Sequence, residues 1–178
     1  MKITIQPLGF VNQKVLKFLR EKLSEVFGDV VLLNPVEIPR NCYNSKRKQY
    51  LSTCILLGLQ VSSITLTVIE HDIYAGNLNF VFGEAELNGK RAIISLYRLK
   101  PELYGQKNGF LFKIRALKEA MHELGHVFGL RHCESRKCVM YFSNSIVDTD
   151  LKDWRYCEDC LNVLASKNIH VNLDINHC

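Results

Sequence analysis

The segment His122-Glu123-Leu124-Gly125-His126-Val127-Phe128-Gly129-Leu130-Arg131-His132 constrains this chain more than any other. His122 and His126 are four residues apart, so on a helix they sit one turn above each other on one face. Two imidazoles placed this way reach a single zinc ion at bonds of about 2.0–2.1 Å. Glu123 points about 100° away, too far round to ligate, yet it can hydrogen-bond a water beside the ion. His132 does not fit a helix that simply continues, because at about 1.5 Å per residue it would lie about 9 Å beyond His126. The chain must turn back between them. Gly129 permits this, since glycine accepts the left-handed conformation that ends helices. Three protein ligands leave a fourth position for water, the pattern of a catalytic zinc rather than a closed structural one. A bare H-E-x-x-H also occurs in helices that bind nothing, so the reading rests equally on Gly129 and His132.

Cysteines supply the second constraint. There are seven: Cys42, Cys54, Cys133, Cys138, Cys157, Cys160 and Cys178. An odd count, behind an N-terminus without the apolar run of a signal peptide, argues against a disulfide framework. Cys133 and Cys138 form C-x4-C, and Cys157 and Cys160 form C-x2-C. Two short-spaced pairs suit one zinc held by four thiolates. Four buried thiols without metal, or iron–sulfur ligation, are the competing readings. Cys133 follows His132 directly, so the thiolate site would pin the loop that carries the third histidine and tie it to the C-terminal helix. Cys42, Cys54 and Cys178 lack ligand spacing and read as core or surface cysteines.

Hydrophobic patterning places these motifs. Ile3–Gln6 reads as a strand, 11–27 as a helix closed by Gly28, and 30–33 as a strand. A second helix is expected over 47–58. Ile64–Ile69 is a β-branched run, and Leu78–Phe82 and 91–96 are strands, the last two joined by a turn at Asn88-Gly89. Residues 110–130 form a long helix. The chain is irregular after Met140, and a last helix starts near Cys157. The order predicts an α/β (α+β) layout with a mixed sheet. At 178 residues, 47% of them hydrophobic, the chain suits one domain. Residues 1–130 form an N-terminal part ending in the active-site helix, and 131–178 a C-terminal part. The formal net charge of +5 is too weak to argue for nucleic acid. No apolar run is long enough to span a membrane. The expectation is a cytoplasmic monomer.

The combined pattern H-E-x-x-H-x-x-G-x-x-H-C-x4-C-x-M, followed by C-x2-C, closely resembles the archaemetzincins, a family of metzincin-like peptidases. The stretch from Leu78 to Ala85 is also similar to the family's segment before the active-site helix. This resemblance implies a compact metzincin-like domain: a twisted mixed sheet, an active-site helix and a zinc-stapled C-terminal subdomain. It implies two zinc ions. His122, His126 and His132 would hold the catalytic one, and Cys133, Cys138, Cys157 and Cys160 the structural one. Glu123 would be the general base, and Met140 a hydrophobic floor beneath the zinc site. An edge strand above the zinc would take an extended peptide or protein substrate as a further strand, with Leu78, Asn79, Phe80, Val81 and Phe82 as its candidate.

The chemistry so implied is metal-assisted peptide hydrolysis. The rival is a non-catalytic zinc-stabilised protein that binds peptide strands or a partner, against which an intact Glu123 weighs. His71 stands alone after a strand, and His170 and His177 lie in the polar tail, so no role is assigned to them. Lys46-Arg47-Lys48 reads as a solvated face.

Overall fold

The computed structural model describes residues 1–173. His177 and Cys178 lie outside that range. The main sheet joins β1 (Lys2–Leu8), β2 (Asp29–Leu32), β5 (Ile64–Ile69), β7 (Gly83–Ala85) and β8 (Arg91–Ser95) in the order β2-β1-β5-β8-β7. The first four strands of that row run parallel, with Ile3 opposite Ile64 and Thr65 opposite Arg91. β7 alone is antiparallel and forms the edge. A smaller sheet joins β3 (Tyr43–Asn44), β4 (Gln49–Leu51) and β6 (Ile73–Tyr74).

Parallel strands are nearly continuous in apolar residues because both faces are covered. Ile3, Ile5, Leu66, Val68 and Ile94 face the larger core, with helices α1 (Gln13–Phe27) and α3 (Gly109–Val127). Leu8, Ile69 and Ile93 face a smaller core, with Ile55 and Leu56 of α2 (Ser52–Gly58). The larger core continues into the C-terminal part through Val139, Met140, Trp154 and Leu164. There α4 (Ile146–Leu151) and α5 (Glu158–Ser166) complete the fold.

Several expectations are corrected. The helix expected over 47–58 is a strand, Gln49–Leu51, followed by the shorter α2. Tertiary pairing overrides local pattern here: Tyr50 lies beside Ile73, and its N–H bonds the carbonyl of Asp72 at 3.0 Å. Leu78–Phe82 is not a strand, and the sheet edge lies one segment later, at Gly83–Ala85. The reason is chemical. Arg47 donates to the carbonyls of Leu78 and Asn79 at 2.7 and 2.9 Å, and Gln49 to that of Asn79 at 2.9 Å, so ladder positions are already taken. Only Val81 makes a bridge, to Ile73. The turn at Asn88-Gly89 does join two antiparallel strands, β7 and β8.

Cys42 and Cys54 are not isolated cysteines. They form a disulfide, their Cα atoms 5.5 Å apart, which fastens the turn Arg40–Cys42 to α2. The stretch after Met140 is also more regular than expected. Ser145 and Asp148 cap the start of α4 reciprocally.

Candidate metal centre

Helix α3 begins where the Asn108 side chain accepts the N–H groups of Phe110 and Leu111, both at 3.0 Å. Its second half runs through the interior, and nearly every residue from Arg115 to Val127 is buried. It ends in a Schellman turn. Gly129 N–H bonds the carbonyl of His126, and Leu130 N–H that of Gly125, each at 2.8 Å. Gly129 has φ +89°, in the left-handed region, as the sequence requires of it.

The reversal brings the three imidazoles together. Ring centroids are 4.7 Å apart for His122–His126, 4.9 Å for His126–His132 and 5.4 Å for His122–His132. Their candidate ligand atoms lie within 4.8 Å of one another. His122 Nδ1 donates to the Val139 carbonyl at 2.7 Å, and His126 Nδ1 to the Leu130 carbonyl at 2.8 Å. Those bonds fix the tautomers, so both Nε2 atoms are left as lone-pair acceptors. Yet the two Nε2 atoms face each other at 3.2 Å. Two bare lone pairs at that range repel. A tetrahedral zinc with bonds of about 2.05 Å has ligands about 3.3 Å apart. The donor set therefore fits the ion, and second contacts to carbonyls are what zinc-ligating histidines usually make. Burial pulls the His122 imidazole well below its ordinary pKa, and lowers His126 and His132 as well, so all three favour the neutral, ligating form.

Glu123 is 4% exposed and lies against the sheet edge, where a Cβ on Gly83 would fall 2.5 Å from its Oε1. Only glycine leaves room there. Burial, reinforced by the Glu119 carboxylate, raises the Glu123 carboxyl well above the usual range. A carboxyl poised this way changes protonation state closer to neutrality than a surface glutamate does. Beside it a groove of about 550 Å³ passes Gly83, Glu84 and Ala85 and reaches His122, His126 and His132. Glu84 is held from behind by the hydroxyls of Ser52 and Thr53, which tie the sheet edge to α2. Phe142, two residues beyond Met140, packs its ring 4.8 Å from that of His132.

The cysteines cluster as their spacing implies. Cys133–Cys157 and Cys138–Cys160 each have sulfurs 3.7 Å apart. Ligands on a tetrahedral zinc with Zn–S bonds of about 2.3 Å are separated by about 3.8 Å. Backbone N–H groups of Met140 and Cys157 point at Cys138 Sγ, both at 3.4 Å, as donors to a thiolate do. Without a cation, burial pushes the Cys138 thiol up to about 11. A metal charge is what lets such a packed set ionise.

The two clusters are joined by a short piece of chain. Val139, whose carbonyl orients His122, lies between Cys138 and Met140. Met140 is fully buried, its sulfur packed under Gly125 of α3. Cys133 N–H bonds the Met140 carbonyl at 3.0 Å, which closes the loop. Leu78, Asn79, Phe80, Val81 and Phe82 line one wall of a second cavity at His122 and Glu123. That cavity also contains buried Glu119 and Lys152, which the sequence reading did not single out. Glu119 sits one turn before His122 and Glu123, so helical spacing carries a signal for it; Lys152 has none. His71 packs its ring 5.4 Å from Tyr50, and no further metal-type cluster involves it or His170 among the described residues.

A family model described as peptidase family M54 matches residues 10–166. The archaemetzincin of Methanocaldococcus jannaschii is 58% identical over 175 residues, 97% of this chain and 98% of that protein. The one from Archaeoglobus fulgidus is 47% identical over 161 residues, 90% of this chain and 96% of that protein. Among solved structures, the archaemetzincin of Archaeoglobus fulgidus complexed with malonate aligns with a TM-score of 0.85 at 45% identity, covering 92% of this chain and 99% of that one. The archaemetzincin of Methanopyrus kandleri aligns with a TM-score of 0.81 at 32% identity, covering 94% of this chain and 96% of that one.

Proposed function

The chain belongs to peptidase family M54, the archaemetzincins, and from that premise we propose that His122, His126 and His132 hold the zinc of this metallopeptidase and that Glu123 is its general base. The observation that carries the assignment is the 3.2 Å approach of two imidazole lone pairs whose other nitrogens are spent on carbonyls. A zinc ion held by these residues would supply Lewis acidity to the scissile carbonyl and to a water beside it.

Glu123 accepts the proton of the attacking water and returns it to the leaving amine. Its buried carboxyl, against Gly83, holds one orientation for both transfers. The open edge of β7 runs alongside and can bind an extended peptide as a further antiparallel strand. Leu78 to Phe82 contribute as a cleft wall rather than as that strand. Met140 supports α3 from below at Gly125.

Cys133, Cys138, Cys157 and Cys160 are proposed to hold a second, structural zinc, supported by the paired 3.7 Å sulfur separations. We take residues 1–130 and 131–178 as two parts of one domain, because a single apolar core runs from Ile3 to Leu164. A monomer is proposed, since one chain supplies every group of the site. The cytoplasm is the proposed location on the strength of the four free cluster thiols, with the Cys42–Cys54 disulfide as the opposing observation. Among the described residues no helix is long and apolar enough to cross a membrane.

The test compares parent and Glu123→Gln proteins, both zinc-loaded, against an unbiased peptide library. Cleavage by the parent alone, at equal zinc content, is expected. Equal rates would remove Glu123 from the mechanism.

A further inference from the structure

The cavity at His122 and Glu123 measures about 220 Å³ and takes one wall from Leu78–Phe82. Those residues precede Gly83, and Glu123 lies against Gly83, so a peptide added antiparallel to β7 carries its C-terminal half along this wall. The end of the wall nearest β7 is held by backbone. Val81 N–H donates to the Ile73 carbonyl at 3.0 Å, and Ser95 N–H to that of Phe82 at 2.8 Å. The other end is held by side chains from elsewhere in the fold. Arg47 Nη2 donates to the carbonyls of Leu78 and Asn79, and Gln49 Nε2 to that of Asn79. Arg47 is aimed by its own turn, where the Asn44 side chain accepts the N–H groups of Lys46 and Arg47 at 3.1 and 3.2 Å. Its guanidinium also lies 4.1 Å from the centre of the Tyr74 ring. Gln49 is shared, since its Oε1 accepts from Arg47 Nε at 2.9 Å and its Nε2 donates to Asp72 at 2.9 Å. Asp72 accepts from Arg98 Nε and Nη2 at 2.8 and 2.7 Å, and that guanidinium lies 4.2 Å from the centre of the Phe80 ring. Arg47, Gln49, Asp72 and Arg98 thus form one chain of bonds that holds the wall by its backbone and by one ring, and none of the four lines the cavity.

We propose that these four are positioning residues for the hydrolysis: by fixing the wall Leu78–Phe82 they set how large a side chain is favoured just after the scissile bond. The inference rests on the reading of Glu123 and the three histidines as the hydrolytic centre. Leu78 is exposed and Phe80 and Val81 are half-buried, so the wall offers a substrate side chain apolar surface. Contact with that surface is worth most when the wall does not give way. A planar guanidinium that bonds two carbonyls fixes direction as well as distance, which a single ammonium does not. If the wall loosens, a long side chain loses its contact, while glycine has none to lose. The four residues touch neither Glu123 nor the histidines among the described contacts, so the loss falls on binding and appears in KM rather than kcat. A network that served stability alone would change every peptide by the same factor.

The experiment uses a paired peptide library in which every sequence occurs with Met and with Gly at one position. Cleavage by zinc-loaded protein is read by mass spectrometry, and kcat and KM are measured for the best pair with that position just after the scissile bond. The parent is expected to favour Met over Gly by about tenfold or more. Arg47→Met and Arg98→Met, which release the wall from opposite ends, should each lower that ratio about threefold or more through KM, with kcat within about twofold of the parent. Arg47→Lys, which keeps the charge but not the fork, should fall between the two. These are ratios within one protein, so partial loss of folding does not mimic them, and Arg98→Met and Arg47→Lys decide the matter if Arg47→Met does not fold. Capture of the same library on zinc-loaded Glu123→Gln protein, with and without Arg47→Met, should show the same change in ratio. Unchanged ratios in the variants, a fall in kcat shared equally by both peptides, or a parent indifferent to Met and Gly would overturn the positioning role. Capture that follows the expected ratios without any cleavage by the parent would overturn the hydrolytic assignment and leave the wall standing. Capture without preference and without cleavage would overturn both.

Discussion

Replacing Gly129 by alanine tests the turn on which the histidine trio depends. Gly129 has φ +89°, and holding a residue with a Cβ there costs about 1–2 kcal/mol. The new methyl would also fall on Asn88 Oδ1 and Lys167 Nζ, which hydrogen-bond each other at 2.7 Å. That pair is partly exposed, so parting it costs only about 0.5–1 kcal/mol. The sum is about 1.5–3 kcal/mol. For a chain of this length each kcal/mol moves the melting temperature by about 2–4 °C, so a fall of about 3–12 °C is expected. Should the variant escape the strain by extending α3, His132 swings away, and chelator competition will show zinc bound about 10–100-fold more weakly at the histidine site. Adding Asn88→Ala separates the two costs, because it removes the collision but not the backbone strain, and should recover up to half of the loss. Melting of Gly129→Ala within about 1 °C of the parent, with unchanged zinc affinity, would refute the reasoning.

Glu123→Gln should lower turnover by about 10²–10⁴-fold at unchanged zinc content, checked by metal analysis beside peptide cleavage. Fully loaded protein should contain two zinc equivalents, the cysteine-bound one released last by a chelator; one equivalent would count against the second site. Replacing both Cys42 and Cys54 by serine should lower stability by about 3 kcal/mol from loop entropy at their separation of 12 residues, and identical denaturant midpoints would contradict this. Cys160→Ala should weaken zinc at the histidine site by about 10–100-fold, because Cys138 and Met140 flank the carbonyl that orients His122; an unchanged affinity would show the clusters to be independent.

What could be read in advance was whatever the chain encodes locally. His122, His126, Gly129 and His132 lie within eleven residues, and one helix plus one left-handed turn suffices to converge them. The cysteine pairs are short-spaced in the same way. Ile64–Ile69 was legible because a central parallel strand is apolar on both faces. Residues 49–51 were not, since Tyr50 and Leu51 satisfy a helical pattern as well as a strand, and only the pairing of β4 with β6 decides between them. Leu78–Phe82 has the composition of a strand, but its carbonyls are claimed by Arg47 and Gln49, about thirty residues away in sequence. The Cys42–Cys54 bond depends on how α2 docks, which no spacing rule expresses.

The buried ion pair of Glu119 and Lys152 was hidden for a different reason. Glu119 and Lys152 are ordinary surface residue types, and nothing in the sequence marks a lysine whose side chain is wholly buried. Burial of Lys152 follows from docking α4 on α3, which Arg115 and Lys118 enforce by binding Asp150 and the carbonyls of Thr149 and Asp150 at 2.6–3.0 Å. The same helix α3 therefore presents ligands on one turn and, four and seven residues before His122, anchors the segment that carries Lys152. The histidine motif is consequently readable from short-range spacing, whereas the buried ion pair beneath it exists only after long-range packing.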